Sequence, residues 1–227
     1  MTAGGSSQGG WFDDYAARLE ARLTEALPGL PAQRQMAPEG RIPENYDPIP
    51  DNARRGAVLV LLYRHEGRMV IPFIRRPEDD TPHAGQIAFP GGGFDEGDEF
   101  PLGTALREAW EEVGVAPAEV RVLGVLTPLY IWVSNYSVHP VVAVTSVPPA
   151  FSINPREVES LEIVGVDQLA ASRTQETFRA RGYRIVAPCF HADGVSIWGA
   201  TAMMLNELVV IHEELRRSGH HREAPLS

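Results

Sequence analysis

The stretch GGGFDEGDEFPLGTALREAWEEVGV, residues 91 to 115, decides how the rest of the chain is read. A glycine-rich turn runs into a segment whose Leu102, Ala105, Leu106, Ala109 and Val113 recur at spacings of three and four, the period of one helix face. The helix is expected to begin near Glu99 or Phe100, with Asp95 or Asp98 as its cap and Pro101 tolerated in its first turn. It should end before Gly114, where a left-handed C-cap is easy. Glu108, Glu111 and Glu112 then fall on neighbouring turns of the other face. Three carboxylates this close repel one another unless a cation stands between them, and Arg107 neutralises only part of that charge. A hard divalent cation with oxygen ligands suits such a set. A merely solvated acidic face is the plainer alternative.

Upstream, AVLVLLY at 57–63 is a continuous apolar run and reads as a buried strand. His65-Glu66-Gly67 supplies a turn, and MVIPFI at 69–74 returns as a second strand, with Pro72 pointing to a sheet edge or a bulge. Arg75 and Arg76 follow at once. A short strand over Gln86 to Phe89 leads into Pro90 and the glycines, where Gly91 lets backbone approach a ligand. Further back, residues 1–10 read as a disordered lead. Residues 11–52 read as a helix and connector: WFDDYAARLEARLTEAL places Trp11, Tyr15, Leu19, Leu23 and Leu27 on one face, and Pro28 ends it. That face packs on the domain or at a subunit interface, so a homodimer is one expectation. The connector over 28–52 is expected to be irregular.

Downstream, strands are expected over Val120–Leu126 and Val138–Val147. Between them, TPLYIWVSNYSVHP carries Tyr130, Trp132, Tyr136 and His139, which either stack on a substrate or fill the core. Glu157, Glu159 and Glu162 precede a short helix, residues 173–183 are polar, and a strand runs through Arg184–Phe190. A long helix begins after Gly199, with Met204, Leu205, Leu208, Val209 and Ile211 at helical spacing. The main domain spans 53–215, and 216–227 read as a flexible tail.

Composition sets limits. The chain has 227 residues with 44% hydrophobic and 22% charged content, which suits one soluble domain with additions. A net charge of -10 disfavours binding to a nucleic acid polymer and requires any phosphorylated substrate to be met locally. The single cysteine, Cys189, excludes an intramolecular disulfide and reads as a small buried hydrophobe. No apolar run reaches membrane-spanning length, and a cytoplasmic, membrane-free protein is expected.

Gly93, Glu99 six residues on, Arg107-Glu108, Glu111-Glu112 and Gly114-Val115 together match, at every specified position, the signature of the Nudix hydrolase family, which the chain resembles. A wider resemblance is to the coenzyme A pyrophosphatase branch of that family. It rests on Arg76, Gly85 and Phe89-Pro90-Gly91-Gly92, on Asn154-Pro155-Arg156-Glu157-Val158, and on the string IWGATAMML. Pro77, Thr81 and Met203 depart from it, the last two standing where arginines are usual.

The resemblance implies an α/β fold, the Nudix-type α/β/α sandwich with a mixed sheet between helices. It implies Mg2+ or Mn2+ at Glu108, Glu111 and Glu112, with a backbone carbonyl near Gly92 as a further ligand. Glu108 or Glu157 would act as general base, Arg107 would tie down the carboxylate helix, and Glu99 would brace the corner by pairing with Arg107. Arg76 and the aromatic residues would meet the substrate, with Arg75 or His83 holding a 3'-phosphate. The implied reaction is hydrolysis of a small-molecule diphosphate, coenzyme A or its thioester, to 3',5'-ADP and 4'-phosphopantetheine. ADP-ribose, NADH or a dinucleoside polyphosphate is the alternative substrate. A non-catalytic nucleotide sensor is the alternative of another class.

Overall fold

The computed structural model describes residues 10–38, 48–78, 84–180 and 183–220. Helices α1 (Gly10–Leu23) and α2 (Gly29–Arg34) precede the hairpin of β1 (Arg54–His65) and β2 (Arg68–Arg75). Short strands β3 (Ile87–Ala88) and β4 (Gly91–Gly93) lead to α3 (Leu102–Val113). Then come β5 (Arg121–Val125), β6 (Leu129–Ile131), β7 (Tyr136–Val144), β8 (Ser160–Gly165) and α4 (Val166–Ala171). The chain closes with β9 (Arg173–Ala180), β10 (Tyr183–Ala192), β11 (Val195–Trp198) and α5 (Gly199–His220).

The main sheet is built on β1. Its first part pairs in parallel with β7 on one side and antiparallel with β4 on the other; its end pairs with β2. β8 extends the sheet beyond β2, while β5 and β6 each pair with a different part of β7. Because β1 is covered on both faces, its apolar run is continuous rather than alternating. Ala57, Leu59 and Leu61 face the core under α3, while Val60 and Leu62 face the larger core beneath α1, α4 and α5. The expected mixed sheet between helices is what the chain forms. A separate antiparallel sheet, β9–β10–β11, delivers the chain into α5.

Several expectations need correction. Pro72 is not on an edge strand: β2 pairs with β8 through it, and on the other side residues 71–73 lie between the partners β1 and β3. The proline occupies a gap in the ladder, where a missing donor costs little. The first helix stops at Leu23, and its buried face is Phe12, Tyr15, Ala16, Leu19 and Leu23, while Trp11 is exposed. A spacing of four drifts by about 40° per step on a helix of 3.6 residues per turn, so the Trp11-to-Leu27 line leaves the face. That face packs within the chain, against β5 and α5. The connector is not wholly irregular, since α2 docks on α5 with Ala32, Gln33 and Met36 buried. Polar RTQETFRA forms β9, and α5 continues to His220, past the expected start of the tail at 216.

Candidate active site

The three glycines of β4 lie against β1. A side chain on Gly91 (φ 154°) would strike the Ala57 carbonyl, and one on Gly92 would strike the Glu108 carboxylate. Glycine here lets backbone and carboxylates share one corner. The Gly91 N–H donates to Glu112 Oε2 at 2.8 Å, so Gly91 holds a carboxylate while it also lines the cavity described below. α3 runs from Pro101, which makes no side-chain cap, to Gly114 in the left-handed conformation. Glu112 is buried at 3% exposure, Glu108 is largely covered, and Glu111 is about half exposed.

Arg107 organises this corner. Its guanidinium donates to both carboxylate oxygens of Asp98, to Glu111 Oε2 at 3.1 Å and to the Gly93 carbonyl at 3.0 Å. It is also paired with Glu108 Oε1 at 3.1 Å. The expected Glu99–Arg107 pair is replaced by Asp98–Arg107; Glu99 is exposed, and its backbone carbonyl accepts from Gly103 N–H. Asp98 takes Thr104 Oγ1 as well, which ties the loop to the helix in place of a cap. Charge-assisted bonds from Arg107 hold the Asp98 carboxyl down at about 2.

The loop after β7 brings in the fourth acid. Its Ser152 and Asn154 N–H groups donate to the last carbonyls of α3, Val113 at 2.9 Å and Glu112 at 2.8 Å. Asn154 then accepts from Glu157 N–H on its carbonyl and donates from Nδ2 to Glu157 Oε1 at 3.1 Å. Glu157 thereby lines the same cavity as Glu108 and Glu112. Burial pushes Glu112 up to about 7, opposed by the Gly91 N–H and Arg76 and reinforced by Glu108 and Glu157. Burial also raises Glu108, partly offset by Arg107.

The cavity holds about 590 Å³ and passes from this acidic corner to the first turn of α5. Of the residues singled out in the sequence, Gly91, Gly92, Arg76, Tyr130, Trp132 and Tyr136 are on its wall. Arg76 is the only cation on that wall among the described residues. Arg75 does not reach it: consecutive residues leave a strand in opposite directions, and Arg75 is paired with Glu162 at 3.0 Å. His83 lies outside the described residues. Tyr130 donates to Asn135 Oδ1, and the Arg54 guanidinium stacks on Tyr136 at 4.3 Å. Sequence reasoning offered Asp98 only as a helix cap and missed its pairing with Arg107, because its neighbour Glu99 matched the signature. Thr201, Met203 and Met204, which the sequence offers only as part of the IWGATAMML string and the start of a helix, form part of the wall.

The profile described as the NUDIX domain matches residues 53–186, more than half of the chain. An uncharacterized Nudix hydrolase, NudL, from Pectobacterium atrosepticum is 34% identical over 174 residues, covering 75% of this chain and 88% of its own.

The chain belongs to the Nudix hydrolase family.

Another NudL, from Yersinia pestis, is 37% identical over 160 residues, 68% of this chain and 78% of its own. Among solved structures, the Nudix hydrolase RenU from M. smegmatis aligns at a TM-score of 0.48 with 19% identity, over 71% of this chain and 88% of its own. In this Nudix domain the donor set suits a hard cation: Glu108, Glu112 and Glu157 share one cavity and repel one another. As placed, no three acidic or histidine side chains among the described residues converge tightly enough to hold an ion. Arg107 pairs with Glu108 and Glu111, and the Gly91 N–H bonds to Glu112. No helix among the described residues is long and apolar enough to cross a membrane.

Proposed function

We propose that this protein hydrolyses the diphosphate linkage of a nucleoside diphosphate derivative, and that coenzyme A or its thioester is the derivative it takes. One observation carries the reading: a single cavity joins a crowded acidic corner to a broad wall of aromatic and apolar side chains, including Trp132, Leu129, Met203 and Met204. Such a cavity suits a substrate with a charged middle and a long, weakly polar arm.

Glu108 and Glu112, with Glu111 once it leaves Arg107 and a backbone carbonyl near Gly92, would hold Mg2+ or Mn2+. When bound, the ion supplies charge neutralisation at the diphosphate and acidifies water. Glu157 is our choice of general base, because it lies on the cavity wall and is not paired with Arg107. Arg107 and Asp98 are positioning residues that hold α3 against β4. Arg76 would meet the diphosphate from the β2 side. Tyr130, Trp132 and Tyr136 also suit a stacked base, which favours ADP-ribose, NADH or a dinucleoside polyphosphate as the second reading.

Chromatographic product analysis separates these. The protein is incubated with Mg2+ or Mn2+ and, in turn, coenzyme A, dephospho-coenzyme A, ADP-ribose and NADH, with Glu112→Gln as control. Release of 3',5'-ADP and phosphopantetheine from coenzyme A, abolished by EDTA and by the substitution, is the expected result. Faster cleavage of ADP-ribose or NADH would retain the hydrolysis and overturn the coenzyme A reading. Nucleotide binding without turnover would make the protein a sensor.

A further inference from the structure

The cavity has a second polar end that the hydrolysis does not use. Gly199, Ala200 and Thr201, the first turn of α5, form part of its wall. α3 and α5 pack on opposite faces of the main sheet, so this turn lines the cavity from a different layer than the carboxylates do. The first N–H groups of a helix have no intrahelical acceptor, and the dipole of a 22-residue helix makes that end positive. No acidic residue occupies the first turn of α5.

Thr201 supplies an independent observation. It is 9% exposed. Thr104 bonds to Asp98, Ser137 to His139 and Thr145 to the Val147 carbonyl. The Thr201 hydroxyl alone among these buried hydroxyls has no hydrogen-bond partner among the described residues. It is not sealed in protein, because among the described residues the only fully enclosed orphan side-chain atom is Gln33 Oε1. Thr201 is on the cavity wall. A nearly buried hydroxyl left open beside a helix N-terminus is a donor pair awaiting an acceptor.

We propose that the first turn of α5, with Thr201, is an anion subsite for a second phosphate of the substrate, a monoester on its nucleoside half and separate from the diphosphate that is cut. This rests on, and deepens, the reading of the cavity as a nucleoside diphosphate site. Among the described residues Arg76 is the only cation on the wall, so backbone and hydroxyl donors take the part that arginines would otherwise play. The subsite selects substrates carrying the extra phosphate by affinity and takes no part in bond cleavage.

Calorimetry with 3',5'-ADP and 5'-AMP tests this on the full chain with Mg2+ present. The two ligands differ by one phosphate, and neither contains an anhydride to be cleaved. The expected result is binding of 3',5'-ADP about tenfold or more tighter than 5'-AMP. Thr201→Val should shrink that ratio about tenfold, and Thr201→Ser should preserve it. Ala200→Asp places a carboxylate where a helix start favours one, so it folds, and it should abolish the preference. A wild-type ratio near one, or a ratio untouched by both Thr201→Val and Ala200→Asp, overturns the subsite. Retained preference for 3',5'-ADP with no cleavage of coenzyme A upholds the subsite and removes only the coenzyme A reading. Cleavage of coenzyme A and dephospho-coenzyme A at equal kcat/KM, with no effect of Thr201→Val, does the reverse.

Discussion

Two carboxylates on this protein are held in opposite ways, and substitution should separate them. Glu112 is desolvated at 3% exposure with one backbone donor, so its charge costs folding energy and serves the site. Glu112→Gln keeps an oxygen for Gly91 N–H and removes the buried charge. We expect kcat to fall at least about a hundredfold while Tm holds or rises, a trade-off seen where a site is built at the expense of stability. Steady-state kinetics and a thermal melt on the same sample check it. Asp98 is the reverse: its carboxylate is stabilised by Arg107, and its contribution is to the fold of the corner. With its folded pKa at about 2, below the ordinary carboxylate value, that contribution is whole above about pH 4 and is lost as pH falls from 4 to 2. Asp98→Asn should cost about 1–2 kcal/mol at pH 7, a few degrees in Tm, and should flatten the acid limb of the stability curve over that window. A variant with an unchanged acid limb would show that Arg107 is held by its other partners.

At the scale of elements, α5 is tied to the site through a buried acid. Glu207 is fully buried and accepts from Gly29 N–H, Gln33 Nε2, Thr127 N–H and Thr127 Oγ1. It thereby joins α2 and α5 to the residue that opens the β6–β7 hairpin, which carries Tyr130, Trp132 and Tyr136. Glu207→Ala leaves those donors unpaired in the interior, and about 3 kcal/mol of stability should be lost in urea titration. KM should rise more than kcat falls, because the hairpin moves and the carboxylates do not. His212, on the same helix, sits buried between the Tyr15 hydroxyl and Asp167. Burial holds its pKa below the ordinary value, against Asp167 and Glu213, which raise it, and with Arg216, which lowers it. The unfolded chain therefore takes up a proton first, so stability should fall as pH drops through about 6.5, and His212→Gln should lessen that fall. These elements also show what the sequence holds. β1 is legible because seven apolar residues in a row, too few for a buried helix and closed by the His65-Glu66-Gly67 turn, suit a strand buried on both faces, and α3 because its stripe and its C-cap glycine agree. β9 is not, since RTQETFRA is a largely exposed strand of a small sheet and carries little periodic signal. At the site, the signature located the carboxylate helix, yet adjacent Asp98 and Glu99 offer Arg107 the same chemistry, and only the path of the loop chooses between them.

For the whole molecule, the question is whether the family domain stands without what surrounds it. The matched region begins at residue 53, yet the larger core includes Phe12, Tyr15, Leu19 and Leu23 from α1 and Met36 after α2. Without them, Leu123 and the facing side of α5 would open to water, and Glu207 would lose its Gly29 and Gln33 partners together. The cavity would also lose Pro38 from its wall. A chain starting at Pro48 should therefore fail to give a cooperative unfolding transition, although the signature and every proposed metal ligand remain in it. The point substitution Leu19→Ala, which removes one fully buried side chain from the same face, should cost about 2–5 kcal/mol and leave a folded, active protein of lower Tm. Urea unfolding followed by tryptophan fluorescence and circular dichroism distinguishes the two cases. A truncated chain that melts cooperatively near the wild-type temperature would make α1 and α2 an appendage to the catalytic domain, whereas loss of cooperativity makes them part of its core.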